Sequence, residues 1–282
     1  MSRPKTHDVI VIGAGAAGLT AAGGCARLGL RVALIERDKM GGECLNTGCV
    51  PSKALLAAAW RAHGMRGTAM GITGGEPAID FAGVRAHVAA AIAAIAPHDS
   101  EAGFTAWGVD VIRGEAQLTS PREVAVEGRR LSAPRIVLAV GSRPAVPQIP
   151  GLAETPYFTN ETLFGLETLP RHLVVLGGGP TGLEMAQAFR RLGAAVTVIE
   201  AGMVLGQTDR EAADLLLRRL AAEGVTCHEN TGVTRVSCAP EGVLLELTAG
   251  EPIRGSHLLV AAGRRPNVDE LRLDLAGVVA DQ

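Results

Sequence analysis

The strongest constraint on the fold is an internal repeat. Residues 9–36 read VIVIGAGAAGLTAAGGCARLGLRVALIE and residues 173–200 read LVVLGGGPTGLEMAQAFRRLGAAVTVIE. Each copy contains an apolar strand, a glycine-rich turn, an amphipathic helix and a second apolar strand. Because parallel strands need a crossover connection, each copy predicts a βαβ unit. The uninterrupted apolar runs predict strands that are covered on both faces.

Two such units in one chain predict an α/β fold with two Rossmann-like dinucleotide-binding domains, the FAD/NAD(P)-binding fold. A boundary is expected in the segment 142–151, SRPAVPQIPG, because its Pro and Gly residues cannot continue a helix or a central strand. We therefore expect residues 1–150 to form an FAD-binding domain and residues 151–282 an NAD(P)-binding domain. Helices are predicted over 51–62 and 81–96, and strands over 109–113, 124–126 and 135–140.

The first copy carries a glycine pattern that is typical of a dinucleotide-binding turn. Gly13, Gly15 and Gly18 form G-x-G-x-x-G, which allows a tight turn, a close approach of a pyrophosphate and close packing of helix on strand. The N–H groups at the start of the helix attract phosphate. Glu36 ends the second strand, where it can accept hydrogen bonds from a ribose. A glycine-rich turn without a ligand is the alternative.

The second copy repeats this pattern with Gly177, Gly179, Gly182 and Glu200. The carboxylate of Glu200 would repel a 2′-phosphate, and no Arg follows it directly. The sequence therefore favours NAD(H) over NADP(H). Pro180 falls in the first helical turn, where no N–H group is needed.

Two cysteines lie close together in the segment 41–53, GGECLNTGCVPSK. In a regular helix Cys44 and Cys49 would be separated by ~7.5 Å along the axis, which is further than a disulfide allows. We therefore expect an irregular loop in which Gly48 supplies conformational freedom. Pro51 predicts the first turn of a helix with Cys49 at its N-terminus, where the helix dipole favours a thiolate. Two thiols that ionise differently suit thiol–disulfide exchange.

Two other interpretations of the cysteine pair remain open: a zinc site and two unreactive thiols. Zinc prefers four ligands, and the sequence shows no second Cys or His pair at ligand spacing. Five cysteines, thinly spread, do not form the disulfide framework of a secreted protein. The other three, Cys25, Cys227 and Cys238, are expected to be ordinary small hydrophobic residues.

Composition argues against several classes of function. The 27 basic and 29 acidic residues give a net charge of −2. Without a basic stripe, neither nucleic acid nor an anionic membrane is an expected partner. Apolar runs such as 88–96 are too short to cross a bilayer, and no signal peptide is visible. We therefore expect a cytoplasmic protein.

The cysteine segment and the two glycine patterns resemble the FAD-dependent pyridine nucleotide–disulfide oxidoreductase family, over essentially the whole chain. The segments 139–144 (AVGSRP) and 262–267 (AGRRPN) resemble the family's later glycine motifs, where the chain passes between domains. Val50, Pro51 and the stretch 95–100 (IAPHDS) are similar to the bacterial mercuric reductase-like branch. Dihydrolipoamide dehydrogenase is the alternative.

The resemblance implies a flavoprotein that passes electrons between NAD(P)H, FAD and a Cys44–Cys49 disulfide to a small-molecule disulfide or a metal ion such as Hg(II). It implies that Cys44 exchanges with the substrate and that Cys49 faces the flavin. Lys53 would lie near the flavin, paired with Glu184; two unrelated solvated charges are the alternative. No resident metal is expected. Cys44, Cys49 and Lys53 would also contact cofactor, together with Gly13, Gly15, Ala16, Ala17, Gly18, Glu36, Arg37, Gly42, Glu43, Gly141, Ser142, Gly177, Gly179, Pro180, Thr181, Gly182, Glu200 and Gly263.

The family pattern continues beyond Gln282 with a further FAD-contacting segment and a dimerisation domain. We therefore expect the C-terminal dimerisation domain to be missing here, and the second nucleotide domain to be incomplete and short of strands. The resemblance implies a homodimeric full-length form whose partner subunit supplies a His–Glu pair. The His residues of this sequence, including His63, His87, His98 and His172, are expected on the surface. A non-catalytic FAD-binding fragment is the remaining alternative.

Overall fold

The computed structural model describes residues 5–280, apart from the side chains of Thr68 and Ala69. The chain separates into two compact units. Unit 1 comprises the described residues up to Val50, Ala90–Arg143 and the described residues from Arg265 on, and unit 2 comprises Pro51–Ala89 and Pro144–Arg264. These bounds are not those of the division after residue 150, which stays a prediction. Two of the transitions fall inside the predicted glycine motifs.

The first half of the chain contains the elements of the first repeat and the segment that follows it. They are β1 (Val9–Ile12), α1 (Ala16–Arg27), β2 (Val32–Glu36), α2 (Gly42–Asn46), α3 (Cys49–Arg66), β3 (Thr68–Ala69), β4 (Ile72–Thr73), α4 (Phe81–Ile95), α5 (Glu101–Ala106), β5 (Asp110–Arg113), β6 (Gln117–Ser120), β7 (Glu123–Val126), β8 (Arg129–Ser132), β9 (Arg135–Leu138) and β10 (Ser142–Pro144).

The second half begins with a short 3₁₀ helix, Leu163–Gly165, and ends with another, Leu273–Ala276. Between them lie β11 (His172–Leu176), α6 (Pro180–Arg191), β12 (Ala195–Ile199), α7 (Arg210–Ala222), β13 (Val225–His228), β14 (Val233–Ala239), β15 (Gly242–Leu247), β16 (Ile253–Gly255), β17 (His257–Val260) and β18 (Arg264–Pro266).

Unit 1 contains a parallel sheet in the order β5-β2-β1-β9. All residues of β1 and β2 are buried, as their apolar runs predict. Successive side chains of β1 point to opposite faces of the sheet. Ile10 and Ile12 face a core shared with the antiparallel sheet β6-β7-β8, whereas Val9 and Val11 pack in a core with Phe104 of α5. The predicted helices and strands correspond to α3, α4, β5, β7 and β9, but β6, β8 and α5 were not predicted.

Unit 2 repeats this plan with a parallel sheet in the order β13-β12-β11-β17 and an antiparallel sheet β14-β15-β16. The repeat therefore extends well beyond the residues in which the sequence shows it. In the residues that the structure describes, both parallel sheets have four strands; the expectation that the second nucleotide domain is incomplete stays a prediction. Two further small sheets pair β3 with β4 and β10 with β18. Among the described residues, no helix is both long and apolar enough to cross a membrane.

The burial of β2 generates a stability prediction. Leu34 is fully buried in β2, whereas Leu28, just after α1, is 81% exposed. Replacing Leu34 by Ala leaves a cavity and should lower the free energy of unfolding by about 2–5 kcal/mol. Leu28→Ala, the control, should change it by no more than about 0.5 kcal/mol. Urea unfolding followed by circular dichroism measures both, and equal losses would contradict the fold of unit 1.

Candidate functional site

The first glycine turn connects β1 to α1 and accepts no larger residue at two positions. Gly13 has a φ of 103°, and a Cβ atom there would collide with the carbonyl oxygen of Ala139. A Cβ at Gly18 would collide with the carbonyl oxygen of Gly13. These glycines hold the start of α1 tightly against the ends of β1 and β9, as the sequence predicts.

The N-terminus of α1 has space for a ligand. No side chain caps it, so its backbone N–H groups can bind a ligand. Ala16 and Ala17 are exposed. A Cβ atom added at Gly15 would have one neighbour within 4 Å, the Cα of Gly42 at 3.9 Å. Gly42 has a φ of 53°, and a Cβ there would lie 2.6 Å from the Cα of Gly15. These residues leave the space that a pyrophosphate needs, and they therefore fit a dinucleotide.

Glu36 is buried and is held by backbone N–H groups at both carboxylate oxygens. Its Oε2 accepts a hydrogen bond from the N–H of Ala14 at 2.6 Å, and its Oε1 accepts one from the N–H of Asp38 at 2.7 Å. Two such bonds fix the carboxylate at the open end of the glycine turn. The geometry fits the predicted ribose-binding role.

Glu200 is held in the same way in unit 2. Its Oε2 accepts from the N–H of Gly178 at 2.7 Å, and its Oε1 accepts from the N–H of Gly202 at 3.0 Å. These backbone partners were not predicted in either copy. The repeat itself could have revealed these donors, because they occupy equivalent positions in both copies. In each copy one donor follows the first glycine of the turn directly, and the other lies two residues after the Glu.

The second glycine turn is also built for close backbone contacts. Gly177 has a φ of 116°, a Cβ at Gly182 would collide with the carbonyl oxygen of Gly177, and Gly179 faces open space. Pro180 begins α6, as predicted, and no side chain caps this helix. Exposed Thr181 follows it. The N-terminus of α6 is therefore also uncapped and has space for a ligand at Gly179.

The two reactive-cysteine candidates stand on consecutive helices. α2 ends at Asn46 and α3 begins at Cys49, so the helix is broken between them as predicted. The reason for Gly48 is different from the predicted one. Gly48 is not in the left-handed region, and instead a Cβ there would lie 2.9 Å from the carbonyl oxygen of Glu43. Close approach of the backbone, not conformational freedom, requires this glycine.

The two thiols are in contact but have different environments. Cys44 is half-buried and Cys49 is exposed at the start of α3, both as free thiols. Burial raises the pKa of the Cys44 thiol, and the side-chain hydrogen bond and charge of Cys49 raise it further, while a backbone hydrogen bond from Cys49 opposes them. The negative charge of Asp99 adds to the increase. Asp99 was not predicted as a site residue, and nothing in its local sequence reveals this proximity.

Lys53 and Glu184 form an ion pair within unit 2. The ammonium Nζ of Lys53 donates to both carboxylate oxygens of Glu184, at 2.9 and 2.8 Å. The side chains are 59% and 41% exposed. The pairing that the resemblance implies is therefore present, and the role beside a flavin stays a prediction.

The remaining implied residues have simple environments. Arg37 forms ion pairs with Glu115 and Glu270 at 3.1 and 3.2 Å. Gly141 and Gly263, in the two later glycine motifs, have φ values of 63° and 125°. Glu43 is exposed and Ser142 is half-buried.

Two expectations about other residues are wrong. Cys238 is exposed, not packed as a small hydrophobic residue, because it faces outward from β14. His172 is half-buried, with its Nε2 2.9 Å from the hydroxyl of Thr197, and burial lowers its pKa. His63 is half-buried as well, whereas His87 and His98 are exposed as expected. In the described part of the chain, no group of three or more His, Cys, Asp or Glu residues is placed to hold a metal ion.

Comparison with known proteins assigns the chain to a family. The family model described as pyridine nucleotide-disulphide oxidoreductase matches residues 7–282. The chain belongs to this family. A mercuric reductase of Streptomyces lividans is 35% identical over 96% of this chain and 60% of the relative, and a dihydrolipoyl dehydrogenase of Thermus scotoductus is 36% identical over 99% and 61%. The chain thus spans about three fifths of the length of these relatives.

A solved structure of the same family has the same fold. The Cu(II) complex of the HOCl-induced flavoprotein disulfide reductase RclA from Escherichia coli matches with a TM-score of 0.85 and 30% identity, over 98% of this chain and 60% of that one. Enzymes of this pyridine nucleotide-disulphide oxidoreductase family use FAD and NAD(P)H, and both glycine turns described above fit dinucleotides.

Substitution of the helical glycines tests the packing of the first turn. Gly18→Ala should destabilise the protein by about 1–3 kcal/mol or more, because its methyl group meets fixed backbone. Gly24→Ala, on the same helix, is the control, because no atom lies within 4 Å of the position that its Cβ would take. This substitution should stabilise the protein by about 0.5–1 kcal/mol. Thermal unfolding measures both, and a tolerated Gly18→Ala would contradict the geometry of the turn.

The environment of Cys44 predicts its pH dependence. A raised pKa means that the reactive thiolate of Cys44 forms only at higher pH than in a free cysteine. Alkylation of Cys44 in the reduced protein should therefore be slow at neutral pH and should reach half its maximal rate above the pH found for a cysteine peptide. Cys49→Ala should lower that midpoint only in part, because burial remains. Mass spectrometry of peptides labelled over a pH series measures the midpoint, and a midpoint at or below that of the peptide would show that burial does not raise the pKa of Cys44.

Proposed function

We propose that this chain carries the electron-transfer part of an NADH-dependent flavoprotein reductase whose dithiol, Cys44 and Cys49, reduces a disulfide or a thiophilic metal ion such as Hg(II). The contact between these two thiols, at the start of α3, is the observation that carries the proposal. Family membership supports the reaction class, and the cytoplasm is the proposed location because its thiols are kept reduced.

Two sets of residues would bind the dinucleotides. The N–H groups at the start of α1 and the carboxylate of Glu36 would hold FAD, and the equivalent groups of α6 with Glu200 would hold the nicotinamide cofactor. FAD, when bound, supplies a two-electron carrier between a nicotinamide hydride and the disulfide. The protein residues contribute binding and orientation.

The thiols would transfer two electrons to a substrate disulfide in two exchanges. The Cys44 sulfur attacks one substrate sulfur, a mixed disulfide forms, and one substrate thiol leaves with the proton of Cys44. The Cys49 sulfur then attacks the Cys44 sulfur, the second substrate thiol leaves with the proton of Cys49, and the Cys44–Cys49 disulfide forms. Half-buried Cys44 faces the substrate in this proposal, and Cys49 faces the flavin.

Because the thiolate is the nucleophile and the pKa of Cys44 is raised, a general base would accelerate the first exchange. The resemblance assigns this task to a His–Glu pair of a second subunit. We therefore propose a homodimer as the complete enzyme.

Three related proteins narrow the substrate class. The relatives described above are a mercuric reductase and a dihydrolipoyl dehydrogenase, and the solved structure is described as a Cu(II) complex of a disulfide reductase. Thiolates are the ligands that soft metal ions prefer. A thiophilic metal ion and a small disulfide are therefore the two substrate classes to test.

The direct test is NADH oxidation by the 282-residue chain with FAD and one acceptor at a time: Hg(II), Cu(II), lipoamide or an aromatic disulfide. Cys44→Ser and Cys49→Ser should abolish acceptor-dependent oxidation, whereas Cys238→Ser, which removes an exposed cysteine elsewhere, should not. Activity retained in the first two variants would refute the proposal. Tight FAD binding without turnover on any acceptor would favour a non-catalytic FAD-binding fragment, and a preference for dihydrolipoamide with NAD⁺ would favour the dehydrogenase.

The geometry of Glu200 predicts the choice of nicotinamide cofactor. Its carboxylate is fixed by two backbone N–H groups and cannot easily turn away from a 2′-phosphate. We expect kcat/KM to be at least ~10-fold higher with NADH than with NADPH, equivalent to about 1.4 kcal/mol. Glu200→Ala should reduce this ratio, whereas Glu241→Ala, a change at an exposed residue, should not. Equal kcat/KM values in the unmodified protein would refute the assignment.

A further inference from the structure

Helices α3 and α6 meet at two points with the same spacing along both helices. Lys53 of α3 binds Glu184 of α6. Seven residues later on each helix, the guanidinium of Arg191 lies over the ring of Trp60, 4.8 Å from its centroid. Seven residues correspond to about 10.5 Å of helix. Both contacts lie within unit 2, and they define a parallel register between the two helices.

The two contacts are unequal in strength. The Lys53–Glu184 pair is largely exposed, and exposed ion pairs contribute only about 0–1 kcal/mol because holding two long side chains in one geometry costs conformational entropy. Arg191 has a side chain that is only 7% exposed and forms a two-pronged ion pair with Glu223, whose side chain is 5% exposed, at 2.7 and 2.8 Å. Buried, bidentate pairs have fixed geometry. Arg191 is therefore the fixed point, and the weaker Lys53–Glu184 pair depends on it for a defined geometry.

Further bonds secure the fixed point to the second half of α3. Arg66 donates from Nη1 to the backbone carbonyl of Arg191 at 2.6 Å. Arg219 of α7 donates from Nε to Glu223 at 2.7 Å, and its Nη2 lies 2.9 Å from Nε2 of His63. Burial opposes ionisation of Glu223, yet the hydrogen bonds of Arg191 and Arg219 hold its pKa below the usual value.

We propose that Arg191, fixed by Glu223 and covered by Trp60, is a positioning residue for Lys53. It sets the register of α3 on α6, so that the ammonium of Lys53 meets Glu184 in one defined place. This inference rests on the proposed function for its catalytic consequence. α3 begins at Cys49, and α6 begins at the second glycine turn. The same register therefore fixes how these two helices meet within unit 2.

The lysine content allows a direct measurement of this effect. Lys5, Lys39 and Lys53 are the lysines of the sequence, so a protein labelled with ¹³C at lysine Cε gives few signals. The two Hε protons of an immobilised Lys53 have different chemical shifts, whereas those of a freely rotating side chain have one averaged chemical shift. Lys53→Arg assigns the signal. The measurement needs no turnover, and it therefore separates failure of this inference from failure of the proposed function.

Two variants and one matched control complete the experiment. Arg191→Lys keeps the charge but loses the fork to Glu223, and Trp60→Leu removes the ring from a residue that is 62% exposed and should not threaten folding. Trp107→Leu is the control, because Arg27 stacks on Trp107 at 4.6 Å in unit 1. The two Hε proton signals of Lys53 should merge into one in Arg191→Lys and Trp60→Leu and should stay separate in the control.

A kinetic measurement gives the second readout. In an active form, Arg191→Lys should lower kcat on the order of 10-fold with KM for NADH within about twofold, since displacement of a positioned group by about 1 Å can cost up to 10²-fold. Trp60→Leu should change kcat in the same direction and Trp107→Leu should not. An unchanged Lys53 signal in Trp60→Leu overturns the inference, and so does a loss of kcat in Arg191→Lys without averaging of Lys53.

Discussion

A carboxylate held by two backbone N–H groups organises the glycine turn of each repeat. Glu36 is the last residue of β2 and Glu200 directly follows β12, and each carboxylate accepts hydrogen bonds from one N–H group of the glycine turn and one of the following loop. These hydrogen bonds join the end of the second strand of each repeat to the turn after the first. The uncapped helix N-terminus and the carboxylate therefore keep a fixed separation. The same short set of contacts occurs twice in one chain, at the two glycine turns that fit a dinucleotide.

The thiol chemistry depends on a different principle, which is asymmetry between two neighbouring sulfur atoms. The break between α2 and α3 places Cys49 at a helix N-terminus and leaves Cys44 half-buried in the preceding helix. Burial, the contact with Cys49 and the negative charge of Asp99 raise the pKa of the Cys44 thiol. Cys44 therefore keeps its proton up to a higher pH than a free cysteine does. This asymmetry between the two sulfur atoms suits thiol–disulfide exchange.

Local sequence predicted the features that depend on short-range chemistry. The glycine spacing at Gly13 and Gly177, the apolar strands and the start of α3 all follow from residues that are adjacent along the chain. The Lys53–Glu184 pair was available only through family resemblance, because nothing local relates positions so far apart. The effect of Asp99 on Cys44 was inaccessible for the same reason. The reason for Gly48 depends on how the chain turns between α2 and α3, which brings Gly48 against the carbonyl oxygen of Glu43. Except for β7, the strands of the antiparallel sheets were missed because these short strands carry weaker apolar patterns.

The half-buried position of Cys44 has a consequence for damage by peroxide. Oxidation to sulfenic acid, and then irreversibly to sulfinic acid, proceeds through the thiolate. A sulfur that stays protonated at neutral pH is a poor target, and any sulfenic acid that does form at Cys44 has the Cys49 thiol beside it to condense with. Peroxide stress would thus return this pair to a disulfide, which NADH can reduce again if the proposed reaction holds. The packing that makes Cys44 a slow nucleophile therefore also protects its sulfur from irreversible oxidation.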